Sequence, residues 1–134
     1  MEATQFLESD LCDEVPAPGT YASTITTARL CSSQNGNAMV HVVHALEGVP
    51  AGYDRVSEYF VLEGASARGL AFSRRRLVEL YRACGLRPRA GEDIAPASLQ
   101  GARLRVKVEH EEWRDKLQLR VVAHLPLTDQ PTPF

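Results

Sequence analysis

The stretch TYASTITTARLCSSQNGNAMVHVVHAL, residues 20–46, decides the fold of this chain. Its first part, residues 20–31, is rich in β-branched side chains and lacks helical periodicity, which predicts a β-strand with Ser23, Ile25 and Arg29 on one face. The dipeptide Asn35-Gly36 follows, and both residues tolerate the positive φ that a tight hairpin requires. The stretch therefore predicts two antiparallel strands, residues 20–31 and 38–46, joined by a hairpin.

The rest of the chain predicts three more strands and one helix. Residues 53–62 read as a third strand, and residues 66–84 place apolar side chains, from Leu70 to Cys84, at the three-, four- and seven-residue spacings of an amphipathic helix. Residues 102–110 and 116–125 alternate between apolar and polar side chains, which is typical of half-buried strands. The side chains predicted to point inward from the last strand are Leu117, Leu119 and Val121.

The element order of three strands, one helix and two strands predicts an all-β fold with one helix. It is the order of a five-stranded OB-fold-like barrel, whose second and third strands and neighbouring loops bind oligonucleotides or oligosaccharides. Composition shifts divide the chain into an acidic N-terminal arm, residues 1–15, the barrel domain, residues 16–125, and a proline-rich tail, residues 126–134.

Charge and cysteine content restrict the setting in which the protein works. Residues 1–63 carry two basic and nine acidic side chains, whereas residues 64–134 carry thirteen and eight, so a mildly acidic protein can still have one basic face. The three cysteines form no CxxC pair, which favours a reducing compartment. Without a signal peptide or an apolar run long enough to span a bilayer, the expected location is the cytoplasm, away from membranes.

Cations and flat rings together predict binding of single-stranded nucleic acid, because phosphates need positive charge and bases stack on aromatic surfaces. Trp113 is expected in a polar loop beside two cations, although packing over the end of the barrel is the alternative for this ring. Tyr59 is predicted to lie either in the core or on the binding face. The predicted nucleic-acid-binding residues are Arg29, Asn35, Asn37, His41, Tyr59, Arg105, Lys107, Trp113, Arg114 and Lys116, with Arg103 and Arg120 as further candidate cations.

Other kinds of chemistry lack the residues they would need. His41 and His44 have helical spacing, but on a strand they face opposite sides, and no cysteine pairs with them, so no metal site is expected. Nucleotide-binding glycine motifs are absent from the sequence. Nucleophilic catalysis would need a cysteine or serine with a base, and Cys84 falls on the apolar helix stripe, where it is expected in the core. We therefore expect a binding protein without catalytic residues or cofactors. Arg74, Arg75 and Arg76 are expected on a solvated helix face, with a homo-oligomer contact or a path for DNA as alternatives.

Three segments resemble a known family. They are PGTY at residues 18–21, NGNAM at residues 35–39 and EYFVL at residues 58–62, and the similarity continues through LQGARLRVKVEHE at residues 99–111. This resembles a family of small phage and prophage proteins from replication and recombination gene clusters, which are regarded as similar to OB-fold single-stranded-DNA-binding proteins. The resemblance implies single-stranded DNA as the ligand and the cytoplasm of a bacterial host as the location.

The chain ends in Pro133 and Phe134, preceded by Asp129. Bacterial single-stranded-DNA-binding proteins end in an acidic tip that closes with Pro-Phe and is recognised by replication and repair enzymes. The similarity predicts that Pro133 and Phe134 dock a protein partner from DNA replication or recombination. The alternative function is an OB-fold interaction module that recruits a recombinase or a nuclease without binding DNA itself.

Overall fold

The computed structural model describes residues 15–127, except for the side chain of Trp113. The predicted order of strands and helix is confirmed, and the fold is mostly β with one α-helix. The strands are β1 (Gly19–Ser32), β2 (Ala38–Leu46), β3 (Arg55–Val61), β4 (Arg103–Trp113) and β5 (Lys116–Leu125); α1 (Ala67–Ala83) follows β3, and a short 3-10 helix (Pro96–Leu99) precedes β4.

The five strands form one antiparallel sheet in the order β3-β2-β1-β4-β5. β1 is central because its two ends pair with different neighbours: residues 23–32 pair with β2, and residues 19–24 pair with β4. The two edge strands, β3 and β5, contact each other across the core. Among the described residues no hydrogen-bonded ladder joins these edges, so the sheet is not closed by backbone pairing.

Two β-bulges change which side chains face the core. In β1 the pairing shifts between Ile25 and Thr27, so Ile25 and Ala28 are both buried and the single face predicted for residues 21–29 is wrong beyond Ile25. In β5 the pairing shifts at Val122, which turns His124 inward. One extra residue reverses the alternation of a strand, because successive side chains point to opposite faces of a sheet.

Ser66 caps the start of helix α1, because its hydroxyl accepts a hydrogen bond from the Gly69 backbone amide at 3.1 Å. Gly85 follows the end of the helix, with a φ of 83° that suits the left-handed turn there. The helix buries Leu77 and Leu80 against the sheet, as the spacing predicts. No helix in the described part of the chain is both long and apolar enough to cross a membrane.

The core lies between one face of the sheet, α1 and the 3-10 helix. Leu119 and Val121 of β5 are buried as predicted, but Leu117 is 46% exposed and that prediction is wrong. The largest fully buried apolar side chains are Phe60, Ile25, Leu80, Leu99 and Leu104.

Candidate nucleic-acid interface

A row of outward-facing side chains crosses three strands. Arg29 of β1 lies opposite His41 of β2, which in turn lies opposite Tyr59 of β3. The His41 and Tyr59 rings stack, with centroids 4.5 Å apart and planes 5° from parallel. Tyr59 is 54% exposed and Arg29 is also exposed. The row, called the platform below, therefore presents a flat pair of rings beside a cation.

The alternation of β2 and β3 produces the platform. Tyr59 lies between Glu58 and Phe60, whose buried side chains point into the core, so the Tyr59 ring must point outward. His41 lies between two buried valines in the same way, whereas His44 faces the core, so the two histidines face opposite sides of the strand, as their spacing predicts. Of the two positions predicted for Tyr59, the structure has the one on the outer face.

His41 is electrostatically suited to stacking. Partial burial, and then the charge of Arg29, lower the pKa of His41 below 6.5. Its Nε2 lies 3.3 Å from the Ser57 hydroxyl. The ring is therefore mainly neutral at pH 7, and Arg29 supplies the positive charge of the platform.

A groove between β3 and β5 extends the platform. Its walls include Arg55 and Tyr59 from β3 and, from β5, Leu117, Gln118 and Arg120. The Arg55 side chain is 61% exposed, and its guanidinium lies 3.5 Å from the Thr26 hydroxyl and 3.9 Å from a carboxylate oxygen of Asp54. Arg55 was not predicted as a site residue. The signal was present, because Arg55 lies four residues before Tyr59 on a strand and so shares its face.

Two predicted cations lie apart from the platform. Arg105 and Lys107 are on β4, opposite Ala22 and Thr20 of β1. Ala22 is seven residues from Arg29 along β1, which corresponds to roughly 20 Å at the rise of a strand. Arg105 also donates a hydrogen bond from Nε to the Pro126 carbonyl at 2.8 Å. These two side chains therefore do not join the rings of β2 and β3.

The β4–β5 hairpin carries the other predicted cations. Arg114 and Asp115 form its two-residue turn with φ angles of 51° and 62°, and Lys116 begins β5 just before the groove. Arg114 and Lys116 are exposed. Trp113 ends β4 and pairs with Lys116, so the prediction that this residue lies in a loop is wrong; its side chain lies outside the described part of the structure.

Asn35 and Asn37 differ in their surroundings. Asn35 is exposed in the turn between β1 and β2. Asn37 is half-buried, and its backbone N–H donates to the Ser33 hydroxyl at 3.2 Å. Its side chain packs against Gly64. Asn37 therefore joins the β1–β2 loop to the segment after β3.

The predicted docking residues Pro133 and Phe134, and the arm up to residue 14, lie outside the described residues.

A second polar group lies inside the core and was not predicted as a site. Glu58 of β3 accepts hydrogen bonds from Nε2 of His44 at 2.6 Å, from Nε2 of His124 at 2.8 Å, and from Arg76 at 2.7 Å. The other ring nitrogen of His124, Nδ1, lies 2.8 Å from a carboxylate oxygen of Glu79. The buried charge cluster is defined here as His44, Glu58, Arg76, Glu79 and His124.

The cluster shifts the protonation equilibria of its members. Burial alone would raise the pKa of Glu58, but the hydrogen bonds and charges of His124 and His44 outweigh burial and lower that pKa from 4.5 to about 2. Burial alone would lower the pKa of His124, but the hydrogen bonds and charges of Glu58, and then of Glu79, raise it above 6.5. Glu58 is therefore a carboxylate and His124 favours its charged form.

Two imidazoles and a carboxylate are also the residue types that bind zinc. In the buried charge cluster, however, the facing atoms are 2.6 and 2.8 Å apart, closer than the roughly 3.3 Å between two ligands at about 2.0 Å from one tetrahedral ion. The Arg76 guanidinium also donates to the same carboxylate. The distances are those of hydrogen bonds, in which Glu58 contacts Arg76 and both histidines and Glu79 contacts His124.

Sequence signals for the cluster existed only in part. Glu58 lies on the inward alternation of β3, which left its position uncertain at the sequence level. The inward position of His124 could not be predicted, because regular alternation in β5 would have turned it outward and the bulge at Val122 reverses this.

The chain matches no known family profile and no curated protein. The resemblance to phage proteins therefore stays a prediction.

Proposed function

We propose that the protein binds single-stranded DNA across the platform, as an accessory of phage or prophage replication or recombination. The observation that carries the proposal is the exposed, parallel stack of His41 and Tyr59 beside Arg29. A base can continue such a stack, and each stacked base contributes about 1–3 kcal/mol. In this proposal, Arg29 and Arg55 contact phosphates of the bound strand.

We further infer that the sheet is an OB-type barrel. The strand order β3-β2-β1-β4-β5 and the contact between β3 and β5 support this fold, since the OB-fold is a partly open five-stranded barrel. Its binding face would then include the outer surface of β2 and β3, where the platform lies.

The test is a titration of fluorescein-labelled oligo-dT with the full chain, followed by fluorescence anisotropy and by Trp113 fluorescence. We expect binding at micromolar protein in low salt, and affinity that falls as salt rises because phosphate binding releases counterions. The double variant Arg29→Gln/Arg55→Gln should weaken binding and flatten the salt dependence, by about 0.7 in the log–log slope for each phosphate that the variant no longer neutralises.

The matched control removes the same charge elsewhere. Arg68 and Arg75 are exposed on α1, seven residues apart on one helix face and away from the platform. Arg68→Gln/Arg75→Gln should leave the affinity for a short oligo-dT nearly unchanged. If both double variants weaken binding equally, the interaction is a general charge effect and the platform is not the site.

Exposed apolar side chains favour a second candidate function. Leu30 is 52% and Phe72 59% exposed, and such side chains can serve a protein–protein contact. This agrees with the interaction module that recruits a recombinase or a nuclease. Absence of any anisotropy change with oligo-dT at micromolar protein would reject the DNA-binding proposal and favour this alternative.

A further inference from the structure

The two edge strands of the sheet are connected by side chains. β3 and β5 contact each other, yet no ladder of backbone hydrogen bonds joins them among the described residues. The buried charge cluster spans this gap: Glu58 of β3 bonds to His124 of β5. Arg76 of α1 donates both to Glu58, at 2.7 Å, and to the Val121 carbonyl of β5, at 3.2 Å, and lies 5.5 Å from the centre of the Phe60 ring.

The geometry at His124 requires two ring protons. Nε2 faces the carboxylate of Glu58 and Nδ1 faces the carboxylate of Glu79, each at 2.8 Å. An ionised carboxylate only accepts hydrogen bonds, so both nitrogens must donate, and the ring is then an imidazolium. If the ring loses one proton, a lone pair faces a carboxylate at hydrogen-bond distance, and one of the two bonds becomes a repulsive contact.

Charged and titratable groups surround the His124 ring from three elements. Glu58 faces it from β3, Glu79 from α1 and His44 from β2, with the ring centroids of His44 and His124 6.2 Å apart. Arg75 and Arg82 of α1 line the surface hollow next to His124. The residue of β4 that pairs with His124 is Val106, which carries no charge. The two carboxylates therefore supply the only negative charge among the described groups that line this ring.

We propose that the doubly protonated His124 ring acts as a latch, which holds β5 to β3 through Glu58 and to α1 through Glu79 and loosens when the ring becomes neutral. The latch does not depend on the proposed function. It would nevertheless affect the groove, because Arg55 and Tyr59 on one wall belong to β3 and Arg120 on the other belongs to β5. Loosening the two strands would change the width of that groove.

The experiment is a pH titration of the full chain labelled with 15N in its histidine rings, followed by NMR of the ring nitrogens. At pH 7.5 an ordinary histidine with a pKa of about 6.5 is about nine-tenths neutral. We expect His124 to keep both ring protons at that pH. We also expect amide hydrogen exchange in residues 55–61 and 116–125, corrected for its intrinsic pH dependence, to accelerate as His124 titrates.

Glu79→Gln provides the decisive variant, because the Glu79 side chain is 44% exposed and the fold does not depend on burying it. We expect this variant to move the titration of His124, and the onset of faster exchange, to lower pH. The control is Glu47→Gln, which removes the same charge from an exposed ion pair with Arg103 and should move neither. A His124 that titrates at or below the ordinary value, or a titration unchanged by Glu79→Gln, would overturn the proposal.

Discussion

Tyr59 is the single side chain on which the proposed interface depends most. It offers an exposed ring that stacks on its cross-strand partner His41, with the two ring planes 5° from parallel. We expect Tyr59→Leu to raise the Kd for oligo-dT about 5- to 150-fold, which corresponds to losing one stacked base at about 1–3 kcal/mol. Leucine keeps an apolar side chain on the strand, so the fold should persist.

Phe72→Leu is the control for this prediction, because Phe72 is an equally exposed ring on α1, away from the platform. Anisotropy titrations of the two variants under one salt condition make the comparison. Equal affinities for Tyr59→Leu and the unchanged protein would show that bases do not stack at this position.

The β1–β2 loop packs against the segment after β3, and two glycines allow the contribution of this packing to stability to be measured. Gly64 has a φ of 80°, and a Cβ at this position would lie 2.1 Å from the side-chain nitrogen of Asn37. Gly36 in the β1–β2 turn has nearly the same φ, 81°, but has nothing within 4 Å. The two glycines therefore differ in packing and share the same backbone requirement.

We expect Gly36→Ala to lower the free energy of unfolding by about 1 kcal/mol, the cost of a left-handed non-glycine residue. Gly64→Ala should cost more, because the Asn37 side chain must also leave its place. Urea unfolding of both variants measures the difference. Equal decreases would mean that the packing of Asn37 on Gly64 contributes nothing to stability.

The stability of the whole molecule should depend on pH through the buried charge cluster. Glu58 has a folded pKa of about 2 against an ordinary 4.5, so its contribution is complete above pH 4.5 and is lost as the pH falls towards 2. The pKa of His124 is raised above 6.5, so its contribution is complete below pH 6.5 and is lost as the pH rises through its folded pKa.

These two limits predict a free energy of unfolding that is largest between about pH 4.5 and 6.5. Urea unfolding of the full chain at a series of pH values between 3 and 9 tests this expectation. A stability that rises continuously from pH 6 to pH 9 would contradict it, since it would mean that His124 contributes nothing in its charged form.

Local patterns in the sequence were sufficient to predict the strands and the helix of this fold. The Asn35-Gly36 turn, the alternation in residues 102–110 and the leucine spacing before Gly85 each depend on neighbours a few residues away. They predicted five strands, one helix and their order, and the structure has them. That His41 and His44 face opposite sides of β2 followed from the same alternation.

Tertiary structure alone decided which side chains meet. The platform depends on the register between β1, β2 and β3, which sets Arg29 opposite His41 and His41 opposite Tyr59. The buried charge cluster depends on a one-residue bulge that turns His124 towards Glu58, 66 residues away in the chain. Strand register and bulges arise from packing between distant segments, and a local pattern carries no information about that packing.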